Sequence, residues 1–343
     1  MKHLLRASAA VAMLAVSAGT PGLATAGDGN VNVYSARHYP QDERLFAEFT
    51  ERTGIEVNTL SGGSDALIQR IETEGRNTPA DVLVTVDAGR LWRAEQAGIL
   101  ARLESERLRQ RLPESVRHPE GAWFGFSRRM RLIVYSTEQY DAPPVTTYEG
   151  LADDELAGEV CIRSSGNVYN QSLLASLIAH HGAEKAERWA AGVVDNFARE
   201  PQGGDTDQIA GVAAGVCGVA VVNHYYYLRM LEKTPDLAEK VGVVFPNQDG
   251  RGVHANVSGA GVIRHGPNRE NAVRFLEFLA SDFAQRYFPA GNNEYPVVAG
   301  GDITEDLEAF KKLGSVVIDD INVARYGEHQ PEAQKIFDRV GWK

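Results

Sequence analysis

Apolar positions along residues 31–98 switch repeatedly between a period of two and a period near 3.6. Val31 and Val33 flank Asn32 and lead to Tyr34, the alternation of a strand. From about Gln41 to Arg52, Leu45, Phe46 and Phe49 share one helical face, and Gly54 follows the end of that run. Ile55-Glu56-Val57 alternates again. Ser64 or Asp65 is placed to cap a second helix whose apolar face holds Leu67, Ile68 and Ile71. Pro79-Ala80-Asp81-Val82-Leu83-Val84 reads as a buried third strand, and a helix from about Ala88 to Ala97 stops at Gly98. This β-α-β-α-β order predicts an α/β sheet with helices packed on its faces.

The later chain is written in the same style. Arg131–Tyr135, Val160-Cys161-Ile162 and Val219–Val222 predict strands. A helix follows Asn170, with Leu173, Leu174, Leu177 and Ile178 facing a core. Val257–Ile263, rich in glycine, predicts a strand that returns the chain, and Pro267-Asn268 opens a helix that buries Val273, Leu276 and Leu279. Two α/β lobes with crossing strands leave a cleft between them, where loops at strand ends gather ligands.

The first residues change the compartment. Lys2 and Arg6, the apolar Val11–Val16 and the small-x-small Ala24-Thr25-Ala26 read as an export signal over residues 1–26. The apolar stretch is too short and too interrupted to span a bilayer. The expected mature chain starts at about Gly27, in a bacterial periplasm. Removing Lys2 and Arg6 from the 35 basic residues leaves 33 against 46 acidic ones, a net charge of −13. That balance argues against nucleic acid or an anionic membrane as partner. Two cysteines, Cys161 and Cys217, both in strand-like runs, form a candidate disulfide in an oxidising compartment.

Candidate chemistry centres on tyrosine. Tyr225-Tyr226-Tyr227 follows the apolar strand and Asn223-His224. A phenol, with its pKa near 10, is a poor general base at neutral pH. Deprotonated, it is a hard anionic oxygen suited to a highly charged ion such as ferric iron. The run alone fits either aromatic packing or a phenolate metal site. His38-Tyr39 and Tyr169 also sit where loops leave strands, so side chains distant in sequence can converge. Four phenolates around a trivalent ion leave one net negative charge, which a guanidinium from Arg128, Arg129 or Arg131 would offset. Tyr34, Tyr135, Tyr140, Tyr148, Tyr287, Tyr295 and Tyr227 read as packed rings. No phosphate-binding glycine loop and no nucleophile elbow appears, and no residue set asks for an enzyme. Asp81, Asp87 and the Gln202–Asp207 segment read as turn and helix-cap residues.

Several motifs now resemble one family. They are Tyr34-Ser35-Ala36-Arg37-His38-Tyr39, Pro79-Ala80-Asp81-Val82, Trp123-Phe124-Gly125-Phe126, Ile162-Arg163-Ser164-Ser165, Tyr169-Asn170-Gln171-Ser172, Asn196–Gly203, Asn223-His224-Tyr225-Tyr226 and Asn256-Val257-Ser258-Gly259. Together they resemble the periplasmic ferric-iron-binding proteins of ABC-type uptake systems, within the extracellular solute-binding proteins, over nearly the whole mature chain. The resemblance implies a two-lobed periplasmic binding protein fold of type II that closes on its ion and docks, as a monomer, on an inner-membrane ABC permease. It implies an N-lobe over 27–126, a C-lobe over 127–256, a return into the N-lobe over 257–300 and a C-terminal helical segment over 301–343. By motif position the iron ligands are Tyr39, Tyr169, Tyr225 and Tyr226, with His38 a fifth candidate and Arg129 and Arg229 charge partners behind them. Fe3+ is the expected cargo, with Fe2+ a further candidate; the alternative is a small organic or anionic solute walled by the tyrosines. His224 and Leu228 depart from the pattern, standing where a small polar residue and a glycine are expected.

Overall fold

The structure, a computed structural model, describes residues 29–37, 39–298, 308–311 and 313–343. The export-signal segment and His38 lie outside the described residues. The first lobe opens with β1 (Asn30–Ser35), α1 (Asp42–Thr53), β2 (Glu56–Ser61), α2 (Ser64–Glu74), β3 (Val82–Val86), α3 (Ala88–Gln96) and the short α4 (Glu106–Arg111). β4 (Phe124–Ser136) leads into β5 (Val160–Cys161), α5 (Val168–His181), α6 (Ala183–Asp195), α7 (Asp205–Ala213), β6 (Val219–Asn223), α8 (His224–Lys233), α9 (Pro235–Ala238) and β7 (Val241–Val244). The chain returns through β8 (Ala255–Val262), α10 (Arg269–Leu279), α11 (Asp282–Asn292) and β9 (Tyr295–Pro296), and ends with α12 (Glu308–Lys311) and α13 (Ala324–Val340).

The strand order is β2-β1-β3-β8-β4-β6-β5, with β7 and β9 also paired to β4. β1 runs parallel to β2 and β3, while β8 is antiparallel to both β3 and β4. β4 joins the two halves. Its residues Phe124–Met130 pair with β8, and Ser127 and Arg128 with β9. Its residues Arg131–Ser136 pair instead with β6 on one side and β7 on the other. Thirteen residues at about 3.3 Å each extend roughly 43 Å, enough to serve both halves. The expected lobe boundaries at 126/127 and 256/257 thus fall inside β4 and β8, and β4 pairs with strands of both halves. α13 packs on α5 and α6 of one half and on α3 of the other.

Apolar side chains of both halves fill one continuous core. Phe49 of α1 meets Phe275 edge-on at 5.2 Å and Phe278 at 5.4 Å, closing the first half under α10. In the second half Leu173, Leu177, Trp189 and Val193 are buried, as is the whole run Val219–Val222. Cys161 at the end of β5 is bonded to Cys217, which precedes β6, with Cα atoms 5.8 Å apart. This pins the outermost strand of that half to its neighbour.

Two expectations about elements are corrected. The strand expected at Arg131–Tyr135 starts at Phe124: the polar run Ser127-Arg128-Arg129 hides it from a hydrophobic pattern, yet Ser127 and Arg129 are buried among charged partners. The helix expected after Asn170 begins at Val168, because Asn167 caps it by accepting from the Asn170 amide. Tyr169 therefore lies in the first helical turn, not on a free loop. Asp87 caps α3 as expected, accepting from the Gly89 amide at 2.9 Å, but does so with a φ of 79°, a conformation rare outside glycine. Its carboxylate also accepts from Ser172 of α5, Asn256 of β8 and Gln330 of α13, tying the two halves together.

Candidate metal centre

Strand ends and helix starts deliver the tyrosines to one place. Tyr39 stands on the loop between β1 and α1, Tyr169 in the first turn of α5, and Tyr225 and Tyr226 in the first turn of α8. α8 starts directly where β6 stops, so its first turn projects from the sheet edge. The Tyr225 hydroxyl donates to the Tyr169 oxygen at 3.4 Å and accepts from Asn223 Nδ2 at 3.0 Å. The Arg129 guanidinium reaches the same group, donating to Tyr169 Oη at 3.4 Å and to Tyr39 Oη at 3.3 Å. Tyr226 lies beside Tyr225, ring centroids 4.5 Å apart and planes tilted by 36°. Tyr227, by contrast, points to the Val241 carbonyl and packs in the core.

The arginines divide as strand geometry requires. Successive side chains of a strand face opposite sides, so Arg129 and Arg131 share a face that Arg128 does not. Arg128 turns toward the Pro296 carbonyl and takes no part in the cluster. Arg131 is buried behind the Tyr169 ring, bonded to Asp205, Asn170, Asn223 and the Val221 carbonyl. Only Arg129, of these three, meets the phenol oxygens. Arg229, one turn along α8, lies over the rings of Tyr225 at 5.0 Å, Tyr39 at 5.1 Å and Tyr226 at 5.9 Å. Its Nη2 reaches the Asn292 carbonyl at 3.4 Å, and among the described residues it pairs with no carboxylate.

Sequence reasoning missed the anion under this cluster. Glu294, fully buried, accepts from Arg129 Nε and Nη2 at 3.0 and 2.8 Å, both on Oε1. Its Oε2 accepts from Arg37 at 2.9 Å and from the hydroxyls of Ser127 and Ser258. Burial opposes its charge, but Arg129 and Arg37 outweigh burial and hold it well below the usual carboxylate range. The only local signal was an acid amid Asn292-Asn293-Glu294-Tyr295-Pro296, with Asn293 in the left-handed region at φ 58°. His224, the departure noted in the sequence, is a strut to the same segment. Its Nε2 donates to the Asn293 carbonyl at 2.7 Å and its Nδ1 accepts from the Met130 amide at 3.1 Å. Leu228, the other departure, is simply buried in the core.

Burial favours the neutral phenol at three of these tyrosines. Burial pushes Tyr39, Tyr225 and Tyr226 above the ordinary tyrosine value, and Arg129 pulls Tyr39 and Tyr225 back only in part. A multivalent cation among these oxygens would displace their protons, as it does for other metal-bound acids. Among the described residues no group of three or more His, Cys, Asp or Glu side chains is placed to hold a metal.

A cleft lined by loops from both halves of a shared sheet defines the class: a two-lobed solute-binding protein of type II fold. The chain belongs to the bacterial extracellular solute-binding protein family, whose model matches residues 33–286. It is 46% identical over 334 residues to iron uptake protein A2 of Synechocystis sp. (strain ATCC 27184 / PCC 6803 / Kazusa), covering 96% of this chain and 94% of that protein. It superposes with a TM-score of 0.88 on the Trichodesmium FutA protein in complex with iron and citrate ligands, at 50% identity, covering 92% of this chain and 100% of that one. Apo FutA2 from Synechocystis PCC6803 gives a TM-score of 0.86 at 46% identity, covering 92% and 99%. No helix among the described residues is long and apolar enough to cross a membrane.

Proposed function

We propose that this chain is a periplasmic ferric-iron-binding protein that captures Fe3+ in the interlobe cleft and delivers it to an inner-membrane ABC permease. The observation that carries this reading is the convergence of Tyr39 and Tyr169 on the Arg129 guanidinium, with Tyr225 donating to Tyr169 and Tyr226 against Tyr225. Iron is cargo in this reading. The relatives named for iron uptake and the relative solved with iron and citrate support the same cargo.

Tyr39, Tyr169, Tyr225 and Tyr226 are the ligands in this reading, with His38, which precedes Tyr39 in the sequence, as a fifth candidate. Each phenol gives up its proton as iron enters. Four phenolates and Fe3+ leave one negative charge. Arg129 is already matched by Glu294, and Arg37 by Asp42 and Glu294. Arg229, without a carboxylate partner among the described residues, is the cation that offsets the remaining charge. Tyr39 comes from the lobe of residues 27–126 and the other three from the lobe of residues 127–256, so iron joins the lobes. Opening along β4 and β8 would pull Tyr39 from the rest and release the ion.

Ferric phenolates absorb visible light by charge transfer. Titrating the metal-free protein with ferric citrate should give a coloured species that saturates at one iron per chain. A protein that stays colourless, and in a metal-content assay carries no iron, would favour a small anionic solute in the same cleft.

A further inference from the structure

The geometry points to Glu294 as a positioning residue for iron: its carboxylate aims the Arg129 guanidinium at the phenol oxygens and cancels that cation's charge, so that the site favours Fe3+ over Fe2+. This inference rests on the ferric reading above. Three observations carry it. Glu294 and Arg129 are both buried and joined through two nitrogens on one oxygen, an arrangement that leaves Nη1 and Nη2 directed at Tyr169 and Tyr39. The second carboxylate oxygen is fixed by Arg37, Ser127 and Ser258, so the pair has little freedom to reorient. The segment bearing Glu294 is itself held to the ligand helix, because His224 beside Tyr225 donates to the Asn293 carbonyl.

The electrostatic consequence follows from counting charges. Arg37, Arg129, Asp42 and Glu294 sum to zero, two cations against two anions. Neutralising Glu294 unmasks one positive charge close to the metal in a water-poor site. Added positive charge disfavours the more highly charged oxidation state, and burial makes the effect stronger than in bulk water. A carboxylate that served stability alone would weaken both oxidation states alike and leave their ratio unchanged.

The test is the Fe3+/Fe2+ midpoint potential of the iron-loaded protein, read from the visible charge-transfer band during a mediated dithionite titration. Glu294→Gln should lower the preference for Fe3+ at least tenfold, a rise of about 59 mV for one electron. Glu294→Asp, which keeps the charge, should recover most of that shift. Arg129→Gln should move the potential the opposite way, and the double variant Arg129→Gln/Glu294→Gln should return near the parent value. The double variant removes the buried pair together, so it tests the idea even if Glu294→Gln alone fails to fold. A coloured Glu294→Gln protein with an unshifted potential, or a double variant that matches Arg129→Gln, would overturn the inference and leave the ferric reading standing. A parent protein that takes no iron would overturn the ferric reading, and this one with it.

Discussion

Replacing His254 with Leu should remove a built-in acid sensitivity from the metal-free protein. His254 is buried where β8 begins, its ring 4.7 Å from that of Tyr326, and its Nδ1 has no hydrogen-bond partner among the described residues. Burial first, then repulsion from Arg131, Arg251 and His180, depresses its pKa from 6.5 to about 3. The unfolded chain therefore binds this proton at a higher pH than the folded one does. The sign follows: the stability associated with neutral His254 is present above pH 6.5 and is lost as pH falls toward 3. Each unit within that window costs about 1.36 kcal/mol, so about 2 kcal/mol is gone at pH 5.0. Leu has a similar volume and no proton to bind. At pH 7.5 the variant loses ring contact with Tyr326, about 1 kcal/mol, and sheds an orphaned buried nitrogen worth a similar amount. The two nearly cancel. Urea unfolding of both proteins at pH 7.5 and 5.0 isolates the effect, because every other group is common to both. Parent and variant should differ by about 2 kcal/mol more at pH 5.0 than at pH 7.5. Parallel losses in the two proteins would refute a buried, neutral His254.

Three further outcomes are expected. Tyr225→Phe or Tyr169→Phe should weaken or abolish the iron-dependent colour while far-UV circular dichroism stays unchanged, whereas Tyr227→Phe should leave the colour intact. His224→Ala should cost about 3–5 kcal/mol in chemical denaturation, since it strands the Met130 amide and the Asn293 carbonyl and opens a cavity between Tyr225 and Tyr295; a loss below 1 kcal/mol would mean the strut is idle. Replacing Cys161 and Cys217 with Ser should cost about 4 kcal/mol, the loop-closure entropy for a sequence separation of 56, read as a lower unfolding midpoint relative to the oxidised parent.

The alternating elements of residues 31–98 were legible because each buries one face, so hydrophobic period reports secondary structure directly. Leu45 and Phe49 on α1 and the apolar β3 needed no tertiary knowledge. β4 was legible only in its second half. Its first half places Ser127 and Arg129 in a charged interior, and a buried ion network looks, in sequence, like a loop. Tyr225 and Tyr226 were visible as a run after a strand, and Tyr169 by its place between a strand and a helix, although the helix begins one residue before it. Glu294 was invisible because its partners, Arg37 and Arg129, lie 257 and 165 residues away. His224 was noticed as a departure, yet its role depends on the Asn293 carbonyl, 69 residues distant. Contacts that distant are set by how strands are shared between lobes, which no local pattern encodes.

Anomalous diffraction at the iron absorption edge, from crystals of the ferric-citrate-loaded protein, addresses the central claim most directly. One peak is expected in the cleft, within coordination distance of the oxygens of Tyr39, Tyr169, Tyr225 and Tyr226, with Arg129 beside the metal and not bonded to it. A peak bounded by other side chains, or iron absent from a cleft filled by an organic anion, would contradict it.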